Sequence, residues 1–511
     1  MFAVTRIPPS LIEDRLDARY NAPLAVETRK KILTSGIKSN SVGGLYNLVC
    51  GPFGSTLTSD EHDASGEVLL IQPTNISGDA FSDASSWRIT KKALIEKDLK
   101  TYPEGTLLFA RVGIYPHVGI IPKEAGLCTI SSSMIAGLPK SDIDTHFLVA
   151  FFKCIYGNIL LNAAQKVTAQ PTIGTTEIAN TLVPIPKEIA QKYIGDKVRQ
   201  AEQLRAWAKR LESSIEHLLT SNDEYLSVCN TAETRISRPE LNDLSNRLDP
   251  KYYGNKAIAV HRFTRKTGRV LGSLIKSVAN GFEERSFLEN GLAYITVSEV
   301  SSGRLNAQAA PKISKSVDVP AKAIIHESCV LVVRTGSIGT AVKVHELDKG
   351  CAISSHLICL EFDDEETAAA VAVFLNSAAG KVLLHKISYG AVQPQIGQEE
   401  LLALSIPEYV LNEKAKCLEL LNNSELAIRA SMNLTSAAKT LVEALIEGQL
   451  TEQQLIQAQQ ALEDGDNSLD QAILSKLSNE GYAIEGATPL FSDIDELYRL
   501  LESAAQTEAE E

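Results

Sequence analysis

The chain says nearly the same thing twice, and this limits its fold more tightly than any other feature. Cys128-Thr-Ile-Ser131-Ser132 returns as Cys351-Ala-Ile-Ser354-Ser355, and Arg111-Val-Gly113 returns as Arg334-Thr-Gly336. Gln170-Pro171-Thr172-Ile173-Gly174 returns as Gln393-Pro394-Gln395-Ile396-Gly397. All three pairs lie 223 residues apart. Asp14-Arg15-Leu16-Asp17 answers Asn246-Arg247-Leu248-Asp249 at 232, and Ile185-Pro186 answers Ile406-Pro407 at 221. One offset shared by three motifs marks a tandem duplication of a domain of roughly 200 residues, with small insertions between the copies. A body with two like halves suits a ligand that is read in two places.

Each copy reads as a globular part, 40–186 and 268–407, followed by a helix. Short apolar runs such as Val68–Ile71, Leu107–Phe109, Val330–Val333 and Ile358–Phe362 stand between Gly, Pro, Ser and Asn, the pattern of strands between turns. One helical stretch is expected inside each part, over Phe147–Ala164 and Thr367–His385. After each Ile-Pro the period becomes helical. Ile194, Val198, Ala201, Leu204, Ala208, Leu211, Ile215 and Leu218 step by threes and fours, with charged residues opposite. Ala427, Leu434, Ala438, Leu441 and Leu445 sketch a second seam. Two such seams are expected to pack on each other.

The net charge of −13 is concentrated at one end. Residues 449–511 hold 14 acidic and 2 basic side chains, a net of −12, so the remaining 448 are close to neutral. An acidic appendix on a near-neutral body does not exclude nucleic-acid binding, which rests on phosphate contacts. Within it Thr451-Glu-Gln-Gln-Leu455 looks like a capped helix start. Leu469, Ile473 and Leu477 continue a helical spacing, and Phe491–Leu501 is a further helix, with a frayed Glu-Ala-Glu-Glu end.

Catalytic signatures are missing. There is no GxxxxGK[ST] phosphate loop, no GxGxxG, no HExxH and no GxSxG around Ser131-Ser132-Ser133. The one Pro-Pro, Pro8-Pro9, is not followed by an aromatic, so the motif that orients a base amine in amino-methyltransferases is lacking too. Eight scattered cysteines without a CxxC pair read as thiols in a reducing cytoplasm. No metal site is expected. The start shows no secretory pattern, and the most apolar stretch, 147–161, is too short to span a bilayer.

The order of motifs points to a family. Gly51-Pro-Phe-Gly-Ser55, Ile71-Gln-Pro-Thr-Asn-Ile76, Leu107-Leu-Phe-Ala-Arg111-Val-Gly113, Gln170-Pro-Thr-Ile173 and Val183-Pro-Ile-Pro186 run into a long helix. The second copy runs Ala279-Asn-Gly-Phe282, Tyr294-Ile-Thr-Val-Ser298, Arg334-Thr-Gly336, Gln393-Pro-Gln-Ile396 and Ile406-Pro407, and closes at Leu441–Gly448. This resembles the target-recognition domains of type I restriction–modification specificity (S) subunits, over residues 10–450. The resemblance implies an α+β chain with target-recognition domains at 1–186 and 221–407, a central spacer helix at 187–220 and a distal one at 408–448. The acidic helical extension, 449–511, is not part of the family pattern. The two helices would pack as an antiparallel coiled coil and set the spacing of a bipartite DNA target. The subunit would be non-catalytic and hold no cofactor. S-adenosylmethionine and ATP would sit on partners, namely two adenine-methyltransferase subunits and a motor-nuclease subunit where one joins. A second reading makes the chain an interaction scaffold of a related defence system, with the extension as docking element or DNA mimic.

Base reading needs paired donors and acceptors, or arginine for guanine. The candidates in the first copy are Gln72, Thr74, Asn75, Arg111, Ser132, Lys166, Gln170 and Thr172. Those in the second are Thr296, Ser298, Arg334, Ser355, Tyr389, Gln393 and Gln395. Arg111 and Arg334, each before a glycine, suit phosphate; a structural ion pair is the competing role. Thr172 against Gln395 is an unmatched pair, suited to reading different half-sites. Gly51, Gly54 and Gly281 are assigned to tight turns. Leu204, Leu211, Ile215, Leu434, Leu441 and Leu445 are expected to be buried in the spacer seam.

Overall fold

The computed structural model describes residues 17–509 except 53, 55, 58, 84–86, 115, 167–169 and 391. Pro8-Pro9, Asp14-Arg15-Leu16, Phe53, Ser55 and the last two residues of the acidic end lie outside the described residues. The chain forms two compact units, 1–206 with 428–511, and 207–427. Each unit therefore owns part of both long helices, a division that follows neither of the Ile-Pro boundaries.

In the first unit a four-stranded antiparallel sheet is ordered Tyr46–Cys50, Met134–Pro139, Leu107–Ala110, Val118–Ile120. A three-stranded sheet is ordered Trp87–Ile89, Val68–Ile71, Cys128–Ile130, with the last pair parallel. The second unit repeats both. Ile275–Asn280, Leu357–Phe362, Cys329–Val333 and Ala341–Lys343 form its four-stranded sheet. Lys312–Ile313, Leu292–Ile295 and Ala352–Ile353 form its three-stranded sheet, again with one parallel pair. The duplication read from three motifs thus extends to strand order and direction.

Alternation along the strands explains the layering. Val330 and Val332 pack with the helices of the second unit, whereas Leu331 and Val333 pack with Ile295 and Ile353 of the smaller sheet. All are fully buried, so the run shows no polar face. Each such side chain contributes about 1.5–3 kcal/mol on leaving water.

The helical stretch inside each copy is two helices, not one. Thr145–Lys153 and Ile155–Ala164 meet at 79°, and so do Glu365–Asn376 and Ala378–Ile387. The cause lies three residues past each break. A Cβ on Gly157 would stand 2.1 Å from the Phe151 carbonyl oxygen, and one on Gly380 2.1 Å from that of Phe374. The turn is held by backbone approach that no larger residue permits. Among the described residues no single helix is long and apolar enough to cross a membrane.

The long helices are Glu188–Thr220 and Lys414–Glu447, the second preceded by a separate short helix, Glu408–Asn412. Thirty-three residues give about 50 Å. Leu204, Leu434, Leu441 and Leu445 are buried as expected. Leu211 and Ile215 are only half-buried, and Leu219 is buried in their place. In the first unit Arg205 of one helix donates to Thr435 Oγ1 (2.6 Å) and the Ser431 carbonyl of the other. In the second unit Ser424 Oγ lies 3.5 Å from the Ala208 carbonyl oxygen. Small residues at these points, Ala208, Ser424, Ala427 and Ser431, are nearly fully buried and let the backbones approach.

The acidic extension is a folded part of the first unit. Thr451 caps Glu452–Glu463 through a capping box with Gln454, as its sequence suggests. Ser468–Leu474 follows, but Leu477 lies in a small hairpin, 477–478 with 481–482, so the helical spacing assigned to it fails. The last helix runs Ile494–Ala509, past Leu501 and without fraying over its described length. Asp470 anchors the extension. Its carboxylate accepts from Lys197 Nζ (2.7 Å), Tyr193 Oη (2.5 Å) and Tyr498 Oη (2.6 Å), with Lys197 2% and Asp470 1% exposed. Burial alone would raise the Asp470 carboxyl, but the ammonium and two hydroxyls more than offset it and hold it below the ordinary range.

Candidate nucleic-acid interface

The structure brings the Arg-x-Gly and Gln-Pro-x-Ile motifs together, in the same way in both copies. Arg111 follows strand Leu107–Ala110; its N–H donates to Ser133 O and its carbonyl accepts from Ile173 N. Arg334 follows Cys329–Val333, donates to His356 O and accepts from Ile396 N. Lys166 and Thr172 exchange backbone bonds, as do Tyr389 and Gln395, so each Gln-Pro sits in the turn of a small hairpin. Gly113 N donates to Pro171 O and Gly336 N to Pro394 O. Both glycines adopt positive φ, 143° and 87°, which a side chain would resist.

The arginine side chains are lightly held. Arg111 Nη1 reaches Ser132 O at 3.5 Å, and Arg334 Nη1 reaches Ser355 O at 3.4 Å. Neither makes an ion pair among the described residues, so most of the guanidinium donors are uncommitted there. Gln170 and Gln393 are exposed in the hairpin turns. Lys166 is committed in part. Its Nζ ion-pairs with Glu177 Oε1 at 2.8 Å, and Glu177 also receives Gly174 N. Burial pushes the Glu177 carboxyl up, but Lys166 and the backbone donors outweigh it and leave it below the ordinary range. Tyr389, at the position matching Lys166, is 45% exposed.

Other candidates are used up locally. Asn75 is buried, accepts from Gln72 N at 2.7 Å and donates to Ser82 O at 2.7 Å. It is a turn cap, and Thr74 beside it is exposed. In the second copy Glu299 plays the part of Asn75, accepting from both N and Oγ1 of Thr296 at 2.7 Å, while Ser298 is exposed. Gly51 and Gly281 do not make positive-φ turns. A Cβ there would stand 1.9 Å from Ser131 O and 2.1 Å from Ile353 O, so they permit close approach to the serine segments.

Gln72 and Ser132 share a cavity of about 200 Å³ with His62, Trp87, Gly54 and Ser131. The Ser131 hydroxyl, like that of its twin Ser354, is buried without a hydrogen-bond partner among the described residues. Sequence reasoning passed over Trp87 and His62, whose rings stack edge to face at 4.9 Å; a lone tryptophan in a turn-rich stretch was the available signal. It also passed over the hairpin bases. Gln165, buried, donates to Gly113 O and accepts from Arg19. Arg247 donates to Ile387 O and Ser388 O and ion-pairs with Asp249, which explains why Arg-Leu-Asp opens the second repeat. No group of three metal-ligating side chains occurs among the described residues.

Residues 40–217 match the family described as Type I restriction modification DNA specificity domain. No curated protein shows significant similarity to the chain. Among solved structures, the type I restriction–modification S subunit from M. genitalium aligns over 81% of this chain and 97% of its own, at 14% identity and TM-score 0.46. The HsdS subunit from Thermoanaerobacter tengcongensis aligns over 81% and 97%, at 14% identity and TM-score 0.27. A chain from work on complex assembly and conformational transition of the type I R-M system aligns over 81% and 98%, at 13% identity and TM-score 0.28. The first copy is thus a type I restriction–modification specificity domain.

Proposed function

We propose that the whole chain is a DNA specificity subunit, with each copy reading one half of a bipartite target. The observation that carries this is the arginine hairpin built twice on one topology, only the first of which lies within 40–217. Matched Arg111 and Arg334 hold backbone phosphates. Unmatched side chains on the same surfaces, Thr172 against Gln395 and Lys166 against Tyr389, read different bases. The paired long helices fix the distance between half-sites as an antiparallel coiled coil and dock the methyltransferase. The chain itself does no chemistry, and adenine methylation belongs to the partner.

Methylome sequencing of cells with and without this protein tests the reading. Loss of a split adenine-methylation motif on deletion is expected. An unchanged methylome, with the methyltransferase shown to be expressed, would favour a scaffold. Affinity for duplex DNA should also fall steeply with salt, as phosphate contacts require.

A further inference from the structure

The two copies differ on the face of the three-stranded sheet that is turned away from the larger sheet. In the first copy Leu69 and Ile71 pack toward the larger sheet, whereas Val68 and Leu70 join Ile89 on the far side. Register puts Tyr294 where Leu70 stands. Leu70 pairs with Thr129 and Tyr294 with Ala352, partners 223 residues apart. Pro52 and Phe282 correspond too, each following the glycine that closely approaches the neighbouring strand and serine segment. His62 answers Phe287, because Asp63 N donates to Arg88 O and Leu288 N to Lys312 O at matched points of the edge strand. In the second copy three rings fill this space. Tyr294 packs against Phe282 at 5.4 Å and Phe287 at 6.1 Å, and its hydroxyl donates to Phe282 O at 2.6 Å. In the first copy Leu70, Pro52 and His62 leave the cavity of about 200 Å³, with Trp87 in its wall.

We infer that this cavity is a subsite for one unpaired pyrimidine base. The second copy shows what shape the place accepts, since Tyr294 puts there a flat six-membered ring with one hydrogen-bonding substituent. The volume suffices, because a cavity of about 150 Å³ takes benzene. The walls suit a base rather than a plain hydrocarbon. Trp87 and His62 offer aromatic surfaces for stacking, and Gln72, Ser131, Ser132 and Ser133 offer polar groups for its edge. Trp87 is 39% exposed and His62 is exposed, so the ring enters from solvent. Arg111 ties the site to a nucleotide. Its Nη1 lies 3.5 Å from the carbonyl oxygen of the lining residue Ser132, so a phosphate on the guanidinium sets its base beside the cavity. The base is either one turned out of bound DNA or that of a free nucleoside. The first source rests on the specificity-subunit reading and the second does not. The second copy carries its own ring in this place, so the chain takes one base.

Fluorine NMR of the full chain labelled with fluorotryptophan reads the site, because the chain has two tryptophans and the other, Trp207, is 4% exposed. The probes are thymidine and deoxycytidine alone, and a duplex carrying the methylation motif. A Trp87 signal that shifts saturably with either nucleoside identifies the free source; a shift with the duplex alone identifies an unstacked base. Leu70→Tyr gives the first copy the ring of the second and should abolish the shift. His62→Ala, at an exposed position, should raise the half-saturating concentration about two- to tenfold. A Trp87 signal indifferent to every probe, or one that still moves in folded Leu70→Tyr protein, overturns the inference. If Leu70→Tyr fails to fold, an unchanged half-saturating concentration in His62→Ala overturns it instead. Fluorescence anisotropy of the same duplex separates the two readings: DNA that binds without moving Trp87 leaves the specificity reading standing, and DNA that does not bind removes that reading whatever the nucleosides do.

Discussion

The two arginines and the one buried aspartate carry the sharpest residue-scale expectations. Among the described residues the Arg111 and Arg334 side chains hydrogen-bond only a carbonyl of their own copy, so replacing either by alanine should leave the melting temperature nearly unchanged. If they hold phosphates, each replacement weakens DNA binding about equally for all sequences and lowers the salt slope by about one. A change of preferred sequence without a change of slope would instead make them base readers. Asp470 behaves oppositely. Asp470→Asn leaves Lys197 buried without a counter-charge and should cost about 3–5 kcal/mol of stability by denaturant titration. Because the folded carboxyl is held below its unfolded value of about 3.9, its contribution is present above that pH and is lost as pH falls through the lower folded value. The variant should therefore lose less stability than the parent between pH 4 and pH 2, as read by acid titration of the melt. Residue types alone could not separate these roles. Asn75 and Thr74 are adjacent polar side chains, and only the path of the turn buries one and exposes the other.

Secondary-structure elements were more legible than individual roles, for a physical reason. Apolar runs bounded by turn residues become strands because both sheet faces are covered, and Val68–Ile71 and Cys329–Val333 show this with every residue buried. The long helices were legible because their seams repeat over many turns. The bend in the inner helix was not, since both of its halves are apolar and the period runs through the break. Its signal was Gly157 and Gly380, one residue at the shared 223 offset. Gly157→Ala or Gly380→Ala should each cost about 1–3 kcal/mol or more, because the added methyl meets backbone rather than a movable side chain. A neutral substitution in thermal melts would show that the bend has another origin. Lengthening the spacer tests the second element. One heptad added to each long helix lengthens the pair by about 10.5 Å. That corresponds to about three base pairs. The methylation motif should then show a spacer longer by that amount, and an unaltered spacer would mean that the helices are not the ruler.

At the scale of the whole molecule, composition misleads about the extension. A stretch with a net charge of −12 on a near-neutral body reads as an appendage that can be removed without harm. The structure makes it part of the first unit, because a few uncharged or paired residues decide the matter: Asp470 meets Lys197, and Leu474, Leu477, Leu497 and Leu500 are buried. Ending the chain at 448 exposes the apolar surface these cover and leaves the Lys197 ammonium, 2% exposed, beside Tyr193 with no carboxylate. An unpaired buried charge costs several kcal/mol. A typical domain has only about 5–15 kcal/mol in total. The truncated protein should lose the cooperative melt of the first unit while hydrogen exchange still protects the core strands of the second, Cys329–Val333 and Leu357–Phe362. Lys197→Met in the truncated chain should restore part of that stability, since it removes the unpaired charge and keeps the volume. A truncated protein that melts like the full chain would mean that the buried pair forms no essential part of the first unit.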